Sequence, residues 1–474
     1  MREIVADICV IGGGSGGLSV AAGAAQMGAR TVLIERGAMG GDCLNTGCVP
    51  SKSLLAAAHA AQNMREAARF GIRPGKDAPV TDFAAVKAHI QGVIAAIAPH
   101  DSVERFEGLG VTVIRETASF LDDRTVLAGE RRIRARRFVI ATGSRPAIPP
   151  IEGIRDVPYL TNETIFTIPT LPEHLMIIGA GPIGLEMAQG FRRLGSRVTV
   201  IEAQRALPRD DQELAAVITD TLREEGVEIL EHAAIQKIEK STDGSILMHL
   251  KDAPSLQGDA LLVAAGRKAN IEDLNLDNAG IKTTRTGIAV DARLRSTNKR
   301  VFAIGDAAGG LQFTHVAAYH AGIVLRNALF MIPARADHGA VPYVTYTDPE
   351  LAHTGLYEQA ARKRFGEQIR VLRRPFAEND RARAEGQTRG LIKVVTGKGG
   401  RILGASIAGP HAGELILPWV LAISAKKKIG TMAGLIAPYP TLSEISKHVA
   451  GSYYTDTLFG PRTRRIVGLI QKLF

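Results

Sequence analysis

Cysteine is scarce in this chain: three in 474 residues, at positions 9, 43 and 48. So few over such a length exclude a disulfide-stapled secreted scaffold. Only two of them are close in sequence, too few for a four-ligand zinc site, so no metal is expected. Long apolar runs are missing as well. None reaches the roughly 18 residues of a membrane-spanning helix. The opening MREIVADICVIGGG runs directly into a strand pattern, with no separate apolar segment and cleavage site, so no signal peptide is expected. Aromatic residues make up only 5% and do not interleave with the basic clusters behind the formal charge of +10. Those clusters, Arg131 to Arg137, Arg362 to Arg374 and Arg462 to Arg465, are scattered. Solvated faces and polyanionic cofactors explain them better than a nucleic-acid partner. What remains is a globular composition, 45% hydrophobic and 22% charged, long enough for about three domains.

Against that background the stretch GGDCLNTGCVPSK, Gly40 to Lys52, stands out. Four residues separate Cys43 from Cys48, among them Asn45 and Gly47, and such a loop brings two Cβ atoms within disulfide reach. Cys48 opens a helix pattern in which Pro50 suits the first turn. A sulfur at a helix N-terminus is favoured as thiolate, and Lys52 adds positive charge one turn on. One cysteine is therefore expected to exchange with substrate and the other to stand as a thiolate over an electron acceptor. The blander reading is two buried small hydrophobes. In a reducing compartment a close pair is catalytic more often than structural, so a cytoplasmic location is expected.

Two dinucleotide-binding units frame the chain. In the first, an apolar strand meets Gly12-x-Gly14-x-x-Gly17, a helix follows, and a second strand ends in Glu35. The glycines permit a tight turn, approach of a pyrophosphate to backbone N–H groups and close helix–sheet packing, and the acid suits a ribose hydroxyl. The second repeats the pattern with Gly179, Gly181, Gly184 and Glu202. Two units imply two dinucleotides. Glu202 disfavours a 2′-phosphate, so NAD(H) is expected over NADP(H), although Arg205 lies close by in sequence. Thr142 and Gly143 turn the chain beside the first unit, and Gly266 sits in the echoing LLVAAGRKAN. Further on, a buried strand delivers Asp306 just before a helix pattern that contains His315. An acid there suits the ribityl hydroxyls of a flavin, and the helix N-terminus suits the ring's negative charge. A simple helix cap is the plainer role for Asp306.

These motifs, together with YTDPE at Tyr346 to Glu350, resemble those of the pyridine nucleotide–disulfide oxidoreductases, which include dihydrolipoamide dehydrogenase, glutathione reductase and mercuric reductase. The resemblance implies an α/β fold with two Rossmann-like domains and a C-terminal α+β dimerisation domain. On that reading residues 1–150 and 269–340 bind FAD, 151–268 bind NAD(P), and 341–474 form a homodimer interface. It also implies roles. Cys43 attacks substrate, Cys48 is the charge-transfer thiol, and Lys52 lies near the flavin and pairs with Glu186. Gly12, Gly14, Gly17, Glu35, Thr142, Gly143, Asp306 and His315 hold FAD; Gly179, Gly181, Gly184, Glu202 and Gly266 hold the nicotinamide nucleotide.

The sequence departs from the disulfide-reducing members at one place. They carry a His-Pro-Thr-x-x-Glu type sequence whose histidine serves the partner subunit's disulfide as acid–base. Here the stretch is Tyr439-Pro440-Thr441-Leu442-Ser443-Glu444. A phenol titrates near 10 and is a poor base at neutral pH. Mercuric reductases resemble the chain in having tyrosine there, but they carry a C-terminal cysteine pair that is missing here. The expected activity is thus a dihydrolipoamide dehydrogenase-like transfer between NAD(H), FAD and the Cys43–Cys48 disulfide. The alternatives are mercuric-reductase-like, metal-ion or quinone reduction, or a docking subunit of a larger complex. His448, one turn beyond Glu444, is a candidate substitute base. In the basic C-terminal tail, Ile466, Leu469, Ile470, Leu473 and Phe474 recur at helical spacing. That stripe is expected to pack on its own domain rather than on a membrane surface, and Gly468 to weaken the helix.

Overall fold

The computed structural model describes residues 2–72 and 80–473. The chain forms two compact units: Met1–Ala203 with His232–Asp337, and Gln204–Glu231 with His338–Phe474. Residues 204–231, expected within the 151–268 segment, thus group with the second unit.

The first unit is built on parallel strands. Arg2–Ile11 lies between Thr31–Ile34 and Arg131–Ile140, with Ile11 level with Ile34 and Ile140. Val111–Ile114 extends the sheet on one side and Val301–Ala303 pairs with Arg131–Ile140. Strands of this sheet are covered on both faces, so Ile8, Cys9, Val10 and Ile11 are all buried. Cys9 is a core residue, its thiol pKa pushed up by burial. The arginine-rich strand alternates exposed and buried side chains from Arg132 to Arg136, then is continuously buried from Phe138. Its first half pairs antiparallel with Thr125–Ala128, where one face is wet. The second parallel sheet holds His174–Ile178 between Arg197–Ile201 and Ala260–Val263, with Ile178 level with Ile201 and Val263. The segments that echo each other in sequence touch: Ser144–Pro146 pairs antiparallel with Arg267–Ala269.

The second unit carries an antiparallel sheet in the order Tyr343–Thr345, Glu350–Gly355, Ile402–Gly409, Leu391–Thr396, Arg370–Pro375. Helices Leu417–Ser424 and Glu444–Ser452 pack into its core, where the buried Trp419 donates its indole N–H to Ser446 Oγ at 3.0 Å. The buried Lys393 ammonium bonds Asp211, Glu213 and Glu358 at 2.7–2.8 Å, which ties residues 204–231 into this unit. One expectation fails here. The basic tail does form a helix, Pro461–Leu473, and Gly468 does not interrupt it, but none of its residues is buried. Its apolar stripe does not pack on its own domain. The segment is joined to the unit by short-range bonds such as Thr463 Oγ1 to Thr457 O, which set no packing surface against the stripe. Phe474 lies outside the described residues. Among the described residues no helix is long and apolar enough to cross a membrane.

Candidate active site

The site is assembled where the cysteine loop docks on the first glycine turn. Gly12 has φ +110°, and a Cβ there would stand 2.3 Å from Ala141 O; one on Gly17 would strike Gly12 O. That forces strand, turn and helix Ser15–Gln26 together. Glu35, just after Thr31–Ile34, accepts from the amides of Gly13 and Gly37 at 2.5 Å. The second turn repeats the geometry: Gly179 at φ +108°, Gly184 against Gly179 O, and Glu202 accepting from Ala180 N at 2.9 Å. The middle glycines differ from the others. A Cβ on Gly181 would meet no atom within 4 Å, and one on Gly14 only Gly41 Cα at 3.9 Å. Open space over the middle glycine, beside a helix N-terminus, fits a pyrophosphate in each unit.

Gly40 N donates to Gly13 O at 2.9 Å, and Gly41, at φ +60°, would bring a Cβ to 2.7 Å from Gly14 Cα. Only glycine permits this backbone-to-backbone contact. It sets the short helix Gly41–Asn45, which carries Cys43, beside the dinucleotide turn. Gly47 is the N-cap of the next helix, Cys48–Glu66, so Cys48 stands at its N-terminus. Both thiols are free in this structure. The Cys43 thiol donates toward Cys48, whose pKa falls to about 6. Thr314 Oγ1 at 3.6 Å and the charge of Lys52 act in the same direction, while burial opposes them. Cys43 is pushed far up by the same hydrogen bond and by burial. The first proton therefore leaves from Cys48.

Lys52 Nζ bonds the buried Glu186 Oε2 at 2.7 Å, across the helices Cys48–Glu66 and Pro182–Leu194. Gly190 lets those helices approach, since a Cβ there would lie 3.2 Å from Leu54 Cδ2. Asp306 follows Val301–Ala303 and accepts from Ser144 Oγ at 2.5 Å; burial raises its pKa. It caps no α-helix: the N-cap of Thr314–Ala328 is Phe313. His315 lies in that helix's first turn, its ring stacked on Phe313 with centroids 5.3 Å apart. Thr142 Oγ1 donates to Asn270 O at 2.7 Å, and Gly143 and Gly266 hold left-handed φ of +68° and +121° with open space above them.

Two features were missed in the sequence. Thr314 is the first residue of its helix, a position that the helix-start pattern alone marks weakly. The other is a polar clasp on the cysteine loop. Asp42 accepts from Arg267 at 2.8 Å, Asn162 at 2.8 Å and Thr46 at 2.7 Å. Arg267 in turn donates to Ser144 Oγ at 2.7 Å, the same hydroxyl that reaches Asp306. The Asp42 carboxylate opposes the Cys48 thiolate, and the Arg267 guanidinium paired with it carries the opposite charge. Asp42→Asn is expected to move the pH midpoint of Cys48 alkylation by iodoacetamide downwards, Arg267→Gln upwards, and the double variant back toward the parent. Equal midpoints in all four proteins would remove the clasp from the chemistry.

Tyr439 and Glu444 belong to the second unit. Tyr439 is 72% exposed and donates to Asp380 Oδ2 at 3.2 Å, which raises its pKa. Glu444 opens helix Glu444–Ser452 and accepts from Thr441 N at 3.4 Å, while His448 is exposed on the same helix.

The chain matches the Pyridine nucleotide-disulphide oxidoreductase family over residues 6–321 and the dimerisation domain of that family over 341–450. It is 35% identical over 463 residues to a mercuric reductase of Streptomyces lividans, covering 95% of this chain and 96% of that protein. It is 32% identical over 447 residues to dihydrolipoyl dehydrogenase of Bacillus subtilis (strain 168), covering 92% and 96%. Among solved structures it resembles the HOCl-induced flavoprotein disulfide reductase RclA from Escherichia coli, with TM-score 0.85 and 31% identity over 94% of this chain and 99% of that one. A Cu(II) complex of the same reductase matches with TM-score 0.84.

Proposed function

The chain belongs to the pyridine nucleotide-disulphide oxidoreductases, and from that premise we propose that it draws electrons from NADH through a Cys43–Cys48 couple to an acceptor that needs no histidine base. The enzyme is an FAD-dependent disulfide oxidoreductase, and its dimerisation domain makes it a homodimer. FAD, when bound, carries electrons between the nucleotide and the thiols. Gly12, Gly14, Gly17 and Glu35 bind its adenylate half; Asp306, with Ser144, Thr142, Gly143 and His315, lines the path to the flavin. Gly179, Gly181, Gly184, Glu202 and Gly266 receive the nicotinamide nucleotide. Lys52, fixed by Glu186, supplies positive charge, and Cys48 holds a thiolate while Cys43 exchanges with the acceptor.

The observation that carries the acceptor reading is Tyr439, an exposed phenol whose proton is held by Asp380. A soft metal ion captured by two thiolates needs no base, and the mercuric reductases and the Cu(II)-complexed reductase among the relatives support that class. A cytoplasmic location accords with so few cysteines and one closely spaced pair among them. Anaerobic mixing of NADH-reduced enzyme with Hg²⁺, Cu²⁺, a quinone, glutathione disulfide and lipoamide tests it. Fast reoxidation by a metal ion is expected, and turnover-rate reoxidation by lipoamide alone would refute it.

Nucleotide choice rests on Glu202, whose carboxylate accepts from Ala180 N–H just after the strand Arg197–Ile201 and disfavours a 2′-phosphate. The expected kcat/KM favours NADH over NADPH, and Glu202→Gln narrows the ratio by about tenfold. An unchanged ratio would place the discrimination elsewhere.

A further inference from the structure

The helix Pro461–Leu473 has a side that the rest of the chain does not cover. Ile466, Val467, Leu469, Ile470 and Leu473 share one face at helical spacing, and each is between 45% and 79% exposed. Leu458 and Phe459, just before it, are exposed too. Arg464, Arg465 and Lys472 fall on the opposite face, Arg462 lies in the first turn, and no acidic residue occurs from Thr457 onward. The match to the dimerisation domain ends at residue 450, before this helix begins.

We propose that this helix lies on an anionic membrane surface. At about 1.5 Å per residue it is roughly 20 Å long, too short to cross a bilayer and suited to lying in the interface plane. An apolar face backed by a cationic face, with no acidic residue on the helix, is the pattern that inserts between acyl chains while its charges meet anionic headgroups. In a homodimer both copies of the helix contribute, and two weak attachments strengthen one another.

The test is cosedimentation of the purified FAD-loaded dimer with vesicles, using phosphatidylcholine alone or mixed with phosphatidylglycerol, at low and high salt. Binding is expected to the mixed vesicles at low salt, and to fall at least about tenfold on neutral vesicles or in high salt. The double variant Leu469→Glu/Ile470→Glu removes the apolar face, and Arg464→Glu/Arg465→Glu/Lys472→Glu reverses the charge. Each is expected to lose about 100-fold in vesicle binding while flavin content and reduction by NADH are unchanged. Absence of binding by the parent protein, or equal binding by either variant, overturns the proposal. So does dissociation of the dimer by either variant without any vesicle binding, which would make the helix a contact between subunits.

Discussion

Replacing Cys48 with serine is expected to abolish the thiolate-to-flavin absorption of the reduced enzyme and to lower acceptor turnover by about 10⁴-fold or more, with reduction of the flavin by NADH retained. The size follows from position. Cys48 stands at the N-terminus of Cys48–Glu66, with Thr314 Oγ1 at 3.6 Å and the Lys52 charge one turn on. A serine hydroxyl keeps the shape but neither ionises near neutrality nor forms a disulfide with Cys43. Cys43→Ser is expected to act differently. It removes exchange with the acceptor but leaves Cys48 able to ionise, at a higher pH because the Cys43 hydrogen bond is the largest influence lowering its pKa. In the parent enzyme the absorption appears as pH rises through about 6 and fades below it, since only the thiolate donates charge. Rapid-scan absorbance of the three proteins across pH separates these outcomes. Full turnover by Cys48→Ser would remove the disulfide from the reaction.

Tyr439→His is expected to raise dihydrolipoamide oxidation by about 10²–10⁴-fold, the contribution of a positioned general base. The phenol is exposed, bonded to Asp380 and raised in pKa, so at neutral pH it offers a proton and accepts none. Glu444, five positions on, is the acid that orients the imidazole in the sequence pattern this stretch resembles. An imidazole at 439 is therefore expected to find its orienting partner already present. Tyr439→Phe, in contrast, is expected to change that already slow reaction by less than about tenfold. Steady-state rates with dihydrolipoamide and NAD⁺ decide the matter. Fast oxidation by the parent enzyme, slowed by Tyr439→Phe, would show that the phenol does the base's work.

Features carried by contiguous residues could be read before the fold. Both dinucleotide turns are of this kind: glycines and terminal acid lie within one strand–helix–strand unit, and the Gly12 and Gly179 turns superpose in their contacts as their spacing implies. The helix start at Cys48 was equally local. Long-range partners were not legible from the residues. The Lys52–Glu186 ion pair spans 134 positions and was placed only through the family resemblance, and Thr314 reaches Cys48 across 266. Arg267 reads as part of a turn echoing Ser144 to Pro146, and nothing local says that it closes on Asp42. The grouping of residues 204–231 depends on the ion pairs of Lys393, far along the chain. The last helix shows the limit most plainly. Its stripe predicted a helix, and a helix forms, but periodicity does not say what the apolar face meets.

Anaerobic titration with NADH, followed by absorbance and by thiol counting, tests the electron path most directly. The first equivalent is expected to leave the flavin oxidised, to produce the long-wavelength absorption of a thiolate beside it, and to release the Cys43 and Cys48 thiols from their disulfide. If that equivalent instead bleaches the flavin and no thiol appears, electrons do not pass through this pair.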